Sequence, residues 1–126
     1  MIFGIGTDIV EYARIEKIFT HHGDRFAKRI LSEQELSEFN SHKEQARFLA
    51  KRFAAKEAFA KAIGSGLREP VSLHRIIIAH DNLGKPRFLW DKLLHEHLTK
   101  LGIINHHLSI SDERNMIVAF VVLEST

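Results

Sequence analysis

The stretch RFAAKEAFAKAIGSG, Arg52 to Gly66, decides how the rest of this sequence is read. Alanine or phenylalanine fills seven of the eleven positions from 52 to 62. Alanine gives up no side-chain entropy in a helix, and the phenylalanines ask for burial. Gly64 supplies the stop. Extended upstream, the pattern predicts one long helix from Lys43 to Ile63. Such a helix must be covered, yet it keeps Glu57 and Lys61 four residues apart.

On a wheel of about 100° per residue with Glu57 at the origin, Lys61 lies roughly 40° away. Ala46, Ala50, Phe53, Ala54 and Ala60 fall within roughly 60°, whereas Lys51, Arg52 and Lys56 lie about 100° or more away. An acid among small apolar residues is costly unless it is paired. One reading is an i, i+4 Glu–Lys pair of small energy. The other is that Glu57 binds a cation and Lys61 an anion held beside it. A Mg²⁺ site takes one or two carboxylates, with phosphate and water completing the shell.

A cation site wants a second acid, and Asp8 in GIGTDIV is the candidate. Ile5, Ile9 and Val10 mark a buried strand, where acids are rare. Gly4 and Gly6 leave room for a helix or a ligand. The plainer alternative is that Asp8 ends the strand and caps the helix that begins near Glu11. GIGTDI lacks the third glycine of a dinucleotide fingerprint.

Around these stretches the chain reads as follows. Ile2 to Val10 is a strand. Glu11 to Phe19 has helical spacing and stops near Gly23, and Asp24 to Leu31 is a short helix. Ser32 and Glu35 form a capping box that opens the next helix. His74 to His80 is a β-branched run, Asn82 to Pro86 is turn chemistry, and Arg87 to Trp90 is the return strand. Asp91 to Leu101 is amphipathic and ends at Gly102. His107 to Ser111 and Met116 to Leu123 are strands about the turn DERN. The condensed order is β-ααα-ββ-α-ββ. Hairpins dominate, so an α+β fold is expected: an antiparallel sheet with the long helix packed on it.

The chain of 126 residues is expected to be one domain, 1–126. It has no cysteine, which excludes disulfides and thiolate catalysis and favours a cytoplasmic home. No apolar run approaches the roughly 20 residues that cross a bilayer, and MIFGIGTDIV has no basic signal-peptide start, so no membrane is expected. The net charge of +2 is uneven. Between 43 and 61, six basic residues face only Glu44 and Glu57. That stretch is either a solvated helix face or a surface for an anionic partner. A nucleic-acid module is the main rival reading, but one Trp, one Tyr and no binding motif speak against it. A purely structural oligomerisation domain would leave Asp8 and Glu57 unexplained.

Together, GIGTDIVEYARI, FLAKRFAAKEAFAKAIGSG and the GKP turn resemble the holo-acyl-carrier-protein synthases, the short 4′-phosphopantetheinyl transferases. The resemblance runs nearly the whole chain. It implies transfer of 4′-phosphopantetheine from coenzyme A to a serine of apo-acyl carrier protein, with release of adenosine 3′,5′-bisphosphate, in support of fatty acid biosynthesis. It implies Mg²⁺ on Asp8 and Glu57, with Lys61 beside them holding phosphate. Coenzyme A is expected against Arg52, Lys61, Gly64, Ser65 and Pro86. Arg14, Arg25, Lys28 and Arg29 are expected to receive the acidic carrier protein. The short class forms trimers with active sites between subunits. On the wheel, Arg52 lies roughly 140° from Glu57, so a neighbouring subunit is expected to bring the two to one ligand. The serine proton requires a base, either Glu57 or a Mg²⁺-bound water. Where some members of the family have histidine in SxSH, this chain has SISD, with Asp112. His106 and His107 are expected to be strand-edge histidines.

Overall fold

The computed structural model describes residues 1–126. Strand β1 (Ile2–Glu11) leads into four helices: α1 (Tyr12–His22), α2 (Asp24–Ile30), α3 (Glu33–Asn40) and α4 (Gln45–Ile63). The hairpin β2 (Ile76–His80) and β3 (Pro86–Trp90) follows, then α5 (Lys92–Lys100), β4 (Ile103–Asp112) and β5 (Met116–Ser125). All the segments read from the sequence are present. Four separate helices precede the hairpin, one more than the condensed order allows.

The strands form two antiparallel sheets rather than one. One has the order β1-β5-β4 and the other is the β2-β3 hairpin. No backbone ladder joins β3 to β4. Instead the His106 ring on β4 accepts a hydrogen bond from the Phe88 backbone N–H of β3 (3.1 Å).

Helix α4 lies across the three-stranded sheet, and small residues set how closely it lies. Ala50, Ala54 and Ala58 are fully buried, as are Ile117, Ala119, Val121 and Leu123 along β5. A Cβ on Gly4 would fall on the carbonyl oxygen of Ala62, and one on Gly6 would fall on that of Ala58. The two glycines therefore exist so that the β1 and α4 backbones can touch. Gly64 ends α4 in the left-handed conformation (φ 95°), and its N–H donates to Ala60 O.

The predicted capping box is present and has a further role. Ser32 N–H donates to Glu35 Oε1 (3.0 Å), and Glu35 N–H donates to Ser32 Oγ (3.3 Å). The same Oε1 accepts from Lys56 Nζ at 2.6 Å. Oε2 accepts from Arg52 Nε and from the Ile78 N–H, both at 3.1 Å. Lys56 spends its other two protons on Ile30 O (2.7 Å) and Leu73 O (2.8 Å). One carboxylate thus ties α3, α4 and β2 together inside the core.

This arrangement corrects the reading of α4 as a basic surface. Lys56 is fully buried and Arg52 is 4% exposed. Lys61 is the one exposed residue in the whole of α4. Burial pulls the Lys56 ammonium down to about 8, and Glu35 opposes that pull.

Candidate active site

Strand β1 alternates, so Gly4, Gly6, Asp8 and Val10 face the helix side while Ile5, Thr7 and Ile9 face away. Because the glycines draw α4 onto β1, Asp8 comes to lie beside the last turns of that helix. Lys61 Nζ donates to Asp8 Oδ1 (3.1 Å) and to Thr7 O (3.0 Å). The Asp8 side chain is 15% exposed and that of Lys61 is 53% exposed, so the pair sits at the rim of the core. Asp8 does not cap α1, whose N-cap is Glu11 and makes no side-chain cap bond.

Glu57 is half-buried and enters no ion pair. Burial first, and the Asp8 carboxylate second, raise the Glu57 carboxyl above its usual range, and Lys61 opposes them. Two carboxylates close enough to repel share one lysine. The i, i+4 pair considered from the sequence is not what forms, because Lys61 bonds to Asp8 instead.

This donor set suits a hard divalent cation. It offers two carboxylates, no soft ligand, and one of the acids has no partner of its own. No third acid or histidine joins them into an all-protein cage. A Mg²⁺ ion held here would therefore keep coordination positions for phosphate oxygens and water.

Gly64, Ser65 and Gly66 follow directly after Lys61's turn. Ser65 Oγ donates to Gly66 O (2.9 Å), and Gly64 and Gly66 both have positive φ. Pro86 opens β3 on the far side of the hairpin. It lines a cavity of about 270 Å³ with Asp81, Lys85, Arg87, His106 and His107. Asp81 Oδ1 shapes the turn before it by accepting from Leu83 N–H (2.8 Å) and Lys85 N–H (2.9 Å).

Arg52 belongs to a different surface, as the helix wheel requires. It lines a cleft of about 240 Å³ with Glu38, His42, Lys51, His80 and Asp112, and shares none of it with Asp8, Glu57 or Lys61. Its guanidinium lies 3.8 Å from the Phe48 ring centroid and donates from Nη2 to Glu38 Oε2 (3.1 Å). Burial pushes His80 below its ordinary value, and Arg52 adds to the effect.

Asp112 lines the same cleft. It accepts from Arg47 Nη1 at 2.5 Å, and Lys51 Nζ stands 3.7 Å from its other oxygen. Arg47 also donates to Glu113 O and Arg114 O and lies 4.2 Å from the Tyr12 ring centroid. This junction was not legible in the sequence, since Arg47 and Asp112 are 65 residues apart.

Arg14, Arg25, Lys28 and Arg29 are all exposed on α1 and α2, and none is engaged in an ion pair. Arg25 and Arg29 rim a depression of about 400 Å³ floored by Ile18, Phe26 and Phe53. The sequence pointed to the charges of this face and missed its apolar floor.

The chain matches known proteins along nearly its whole length. Residues 4–120 match the model of the 4′-phosphopantetheinyl transferase superfamily. The holo-[acyl-carrier-protein] synthase of Nitrosospira multiformis is 54% identical over 124 residues, covering 98% of this chain and 99% of that protein. The crystal structure of the same enzyme from Neisseria meningitidis superposes with a TM-score of 0.96 at 50% identity, covering 99% of this chain and 100% of that one. The Bacillus anthracis enzyme, solved in complex with CoA (3′,5′-ADP), gives a TM-score of 0.84 at 41% identity over 100% of this chain and 99% of that one. Fold, length and sequence identity all converge: this chain belongs to the 4′-phosphopantetheinyl transferase superfamily.

Proposed function

We propose that this chain transfers 4′-phosphopantetheine from coenzyme A to a serine hydroxyl of apo-acyl carrier protein. The observation that carries the reading is the meeting of Asp8, Glu57 and Lys61 at the β1–α4 contact, in a chain of this family. The serine oxygen forms a bond to the β-phosphorus of coenzyme A. The pyrophosphate P–O bond breaks, and adenosine 3′,5′-bisphosphate leaves.

Asp8 and Glu57 would hold Mg²⁺. When bound, the ion neutralises pyrophosphate charge and polarises the electrophile. Asp8 is kept in place by the β1 ladder and by Lys61. Lys61, exposed and at the end of α4, supplies a cationic donor to the phosphates. Glu57, half-buried at the same contact, is the chain's own acceptor for the serine proton. Gly64 and Ser65 put the turn backbone that follows α4 next to Lys61, and Pro86 borders the path of the pantetheine-bearing ligand. Phosphoryl transfer rests mostly on positioning and electrostatics, so this small set suffices.

The carrier protein docks on α1 and α2. Exposed Arg14, Arg25, Lys28 and Arg29 meet its acidic surface, and the floor of Ile18, Phe26 and Phe53 takes apolar side chains. The enzyme works as a homotrimer in the cytoplasm and feeds fatty acid biosynthesis. In support, the sheet face turned away from α4 carries Ile5 (59% exposed), Ile9 (62%) and Phe120 (40%), beside half-buried Val118 and Val122. An apolar sheet face of this kind calls for a covering partner, and a second copy is the partner that closes symmetrically. A neighbouring copy would also bring Arg52's cleft to a ligand held at Asp8 and Glu57. Mixed oligomers of Arg52→Lys and Glu57→Gln chains should then regain activity, and no recovery would count against shared sites.

No helix is long and apolar enough to cross a membrane. Mass spectrometry of apo-acyl carrier protein after incubation with this chain, coenzyme A and Mg²⁺ tests the reading. Addition of one phosphopantetheine is expected, abolished by chelator. An unmodified carrier, or full conversion in chelator, contradicts the transfer or the metal respectively.

A further inference from the structure

His106 is the only tie between the hairpin's β3 and strand β4 that is formed by a side chain accepting from backbone. Its Nε2 accepts from Phe88 N–H at 3.1 Å, so that nitrogen is unprotonated and a neutral ring carries its proton on Nδ1. The ring stands edge-on to Phe88 (5.4 Å between centroids) and Trp90 (5.0 Å). Both of those rings pack on Phe59 of α4, at 5.0 and 5.5 Å. The result is an aromatic block that spans α4, β3 and β4, with one polar contact inside it. Pro86, two residues before Phe88, lines the same cavity as His106.

We infer that His106 is a positioning residue: as a neutral ring it pins the β3 edge and thereby sets Pro86 where coenzyme A passes, and protonation releases that edge. The Pro86 half of this inference rests on the transferase reading above.

The surroundings favour the neutral ring. Burial lowers the affinity of His106 for a proton first, and the positive fields of His107 and Arg87 add to it. Lys85 and Asp81 reach the same cavity from the β2–β3 turn. Phe59 of α4 and Leu123, its register partner on β5, bring no charge. Because the folded form resists protonation, the contact is fully present above the ordinary histidine value of 6.5 and is lost as pH falls through the lower value of the folded form. A protonated Nε2 would set N–H against N–H at Phe88.

The test is amide hydrogen exchange at Phe88 in the full chain between about pH 5 and pH 7.5, corrected for intrinsic rates, with coenzyme A affinity measured at the same pH values. Protection of Phe88 should fall on the order of tenfold on acidification in the wild type. It should stay level in His106→Gln, which keeps an acceptor and cannot titrate. Coenzyme A should weaken more on acidification in the wild type than in His106→Gln. Protection that is independent of pH in the wild type, or equally dependent in both proteins, overturns the strap. Coenzyme A affinity with the same pH profile in both overturns the positioning of Pro86. No binding of coenzyme A by the wild type even at neutral pH overturns the transferase reading and the Pro86 half with it, while the exchange data decide the strap alone.

Discussion

Helix α4 carries two acid–base clusters built from adjacent residues, and they differ in one property. Lys56 and Arg52 meet Glu35 in the core. There every Lys56 proton has an acceptor, and the carboxylate accepts from Ser32, Lys56, Arg52 and Ile78. Glu57, the next residue, has no ion-pair partner, and its neighbour Asp8 repels it. The first cluster is saturated and the second is not. The Lys56–Glu35 pair at the centre of the first has nothing left to offer a ligand, so it holds the fold, and only Arg52 at its edge reaches a cleft. An unsaturated cluster at the rim keeps coordination sites free, at some cost to stability. Sequence proximity alone would have grouped Lys56 with Glu57. The packing separates them.

That contrast can be broken from either side. The largest expected effect is on the saturated side. Glu35→Ala strips Lys56 and Arg52 of their shared buried carboxylate and should cost about 3–5 kcal/mol in denaturant unfolding. A loss no larger than that of a surface substitution would show that the cluster is not what holds α3 to α4. Next is Lys61→Met, which removes the only cation beside Asp8. Transfer should slow by on the order of a hundredfold, as for loss of one donor to a charged transition state. The melting temperature should move little, since Lys61 is exposed. A stability loss like that of Glu35→Ala would make Lys61 structural. The smallest effect concerns the carrier face. Arg29→Ala should weaken carrier-protein binding by on the order of threefold at low salt, and the difference should fade as salt screens it. A salt-independent defect would point to packing in the adjacent depression instead.

The pH behaviour of the two clusters also differs. Glu57 has a raised carboxyl in the fold, so its protonated form is the one the fold prefers. Its contribution is fully present below the unfolded value and is lost as pH rises through the folded one. Removing that charge should therefore leave stability at neutral pH unchanged or improved.

Much of this was legible along the chain. The capping box at Ser32 and Glu35, the glycine stop of α4 and the close approach allowed by Gly4 and Gly6 depend on neighbours in sequence or on a bare backbone. The pairing of Asp8 with the face of Glu57 followed from two separate anomalies, each an acid on an apolar element. What escaped was long-range. Nothing local says that Glu35 reaches Lys56, 21 residues away, or that Asp112 takes Arg47. The basic run from 43 to 61 looked like a surface because periodicity reports apolar stripes and does not report which charges are paired inside. That β3 meets β4 through the His106 ring and not through a backbone ladder is a contact no turn signal announces. Ile5 and Ile9 read as marks of a buried strand, yet both lie exposed on the outer face of β1, because a strand apolar on both faces needs the register to tell which face is left uncovered.

The most direct measurement of the central claim sets the rate of Glu57→Gln against its stability. Initial rates of phosphopantetheine transfer to apo-acyl carrier protein would be followed by mass spectrometry, and thermal melting recorded on the same preparation. The unsaturated cluster predicts a rate lower by on the order of a hundredfold or more with a melting temperature equal to or above the wild type's. A variant that transfers at the wild-type rate, or one that slows only because it unfolds, would contradict the assignment of Glu57 to the chemistry.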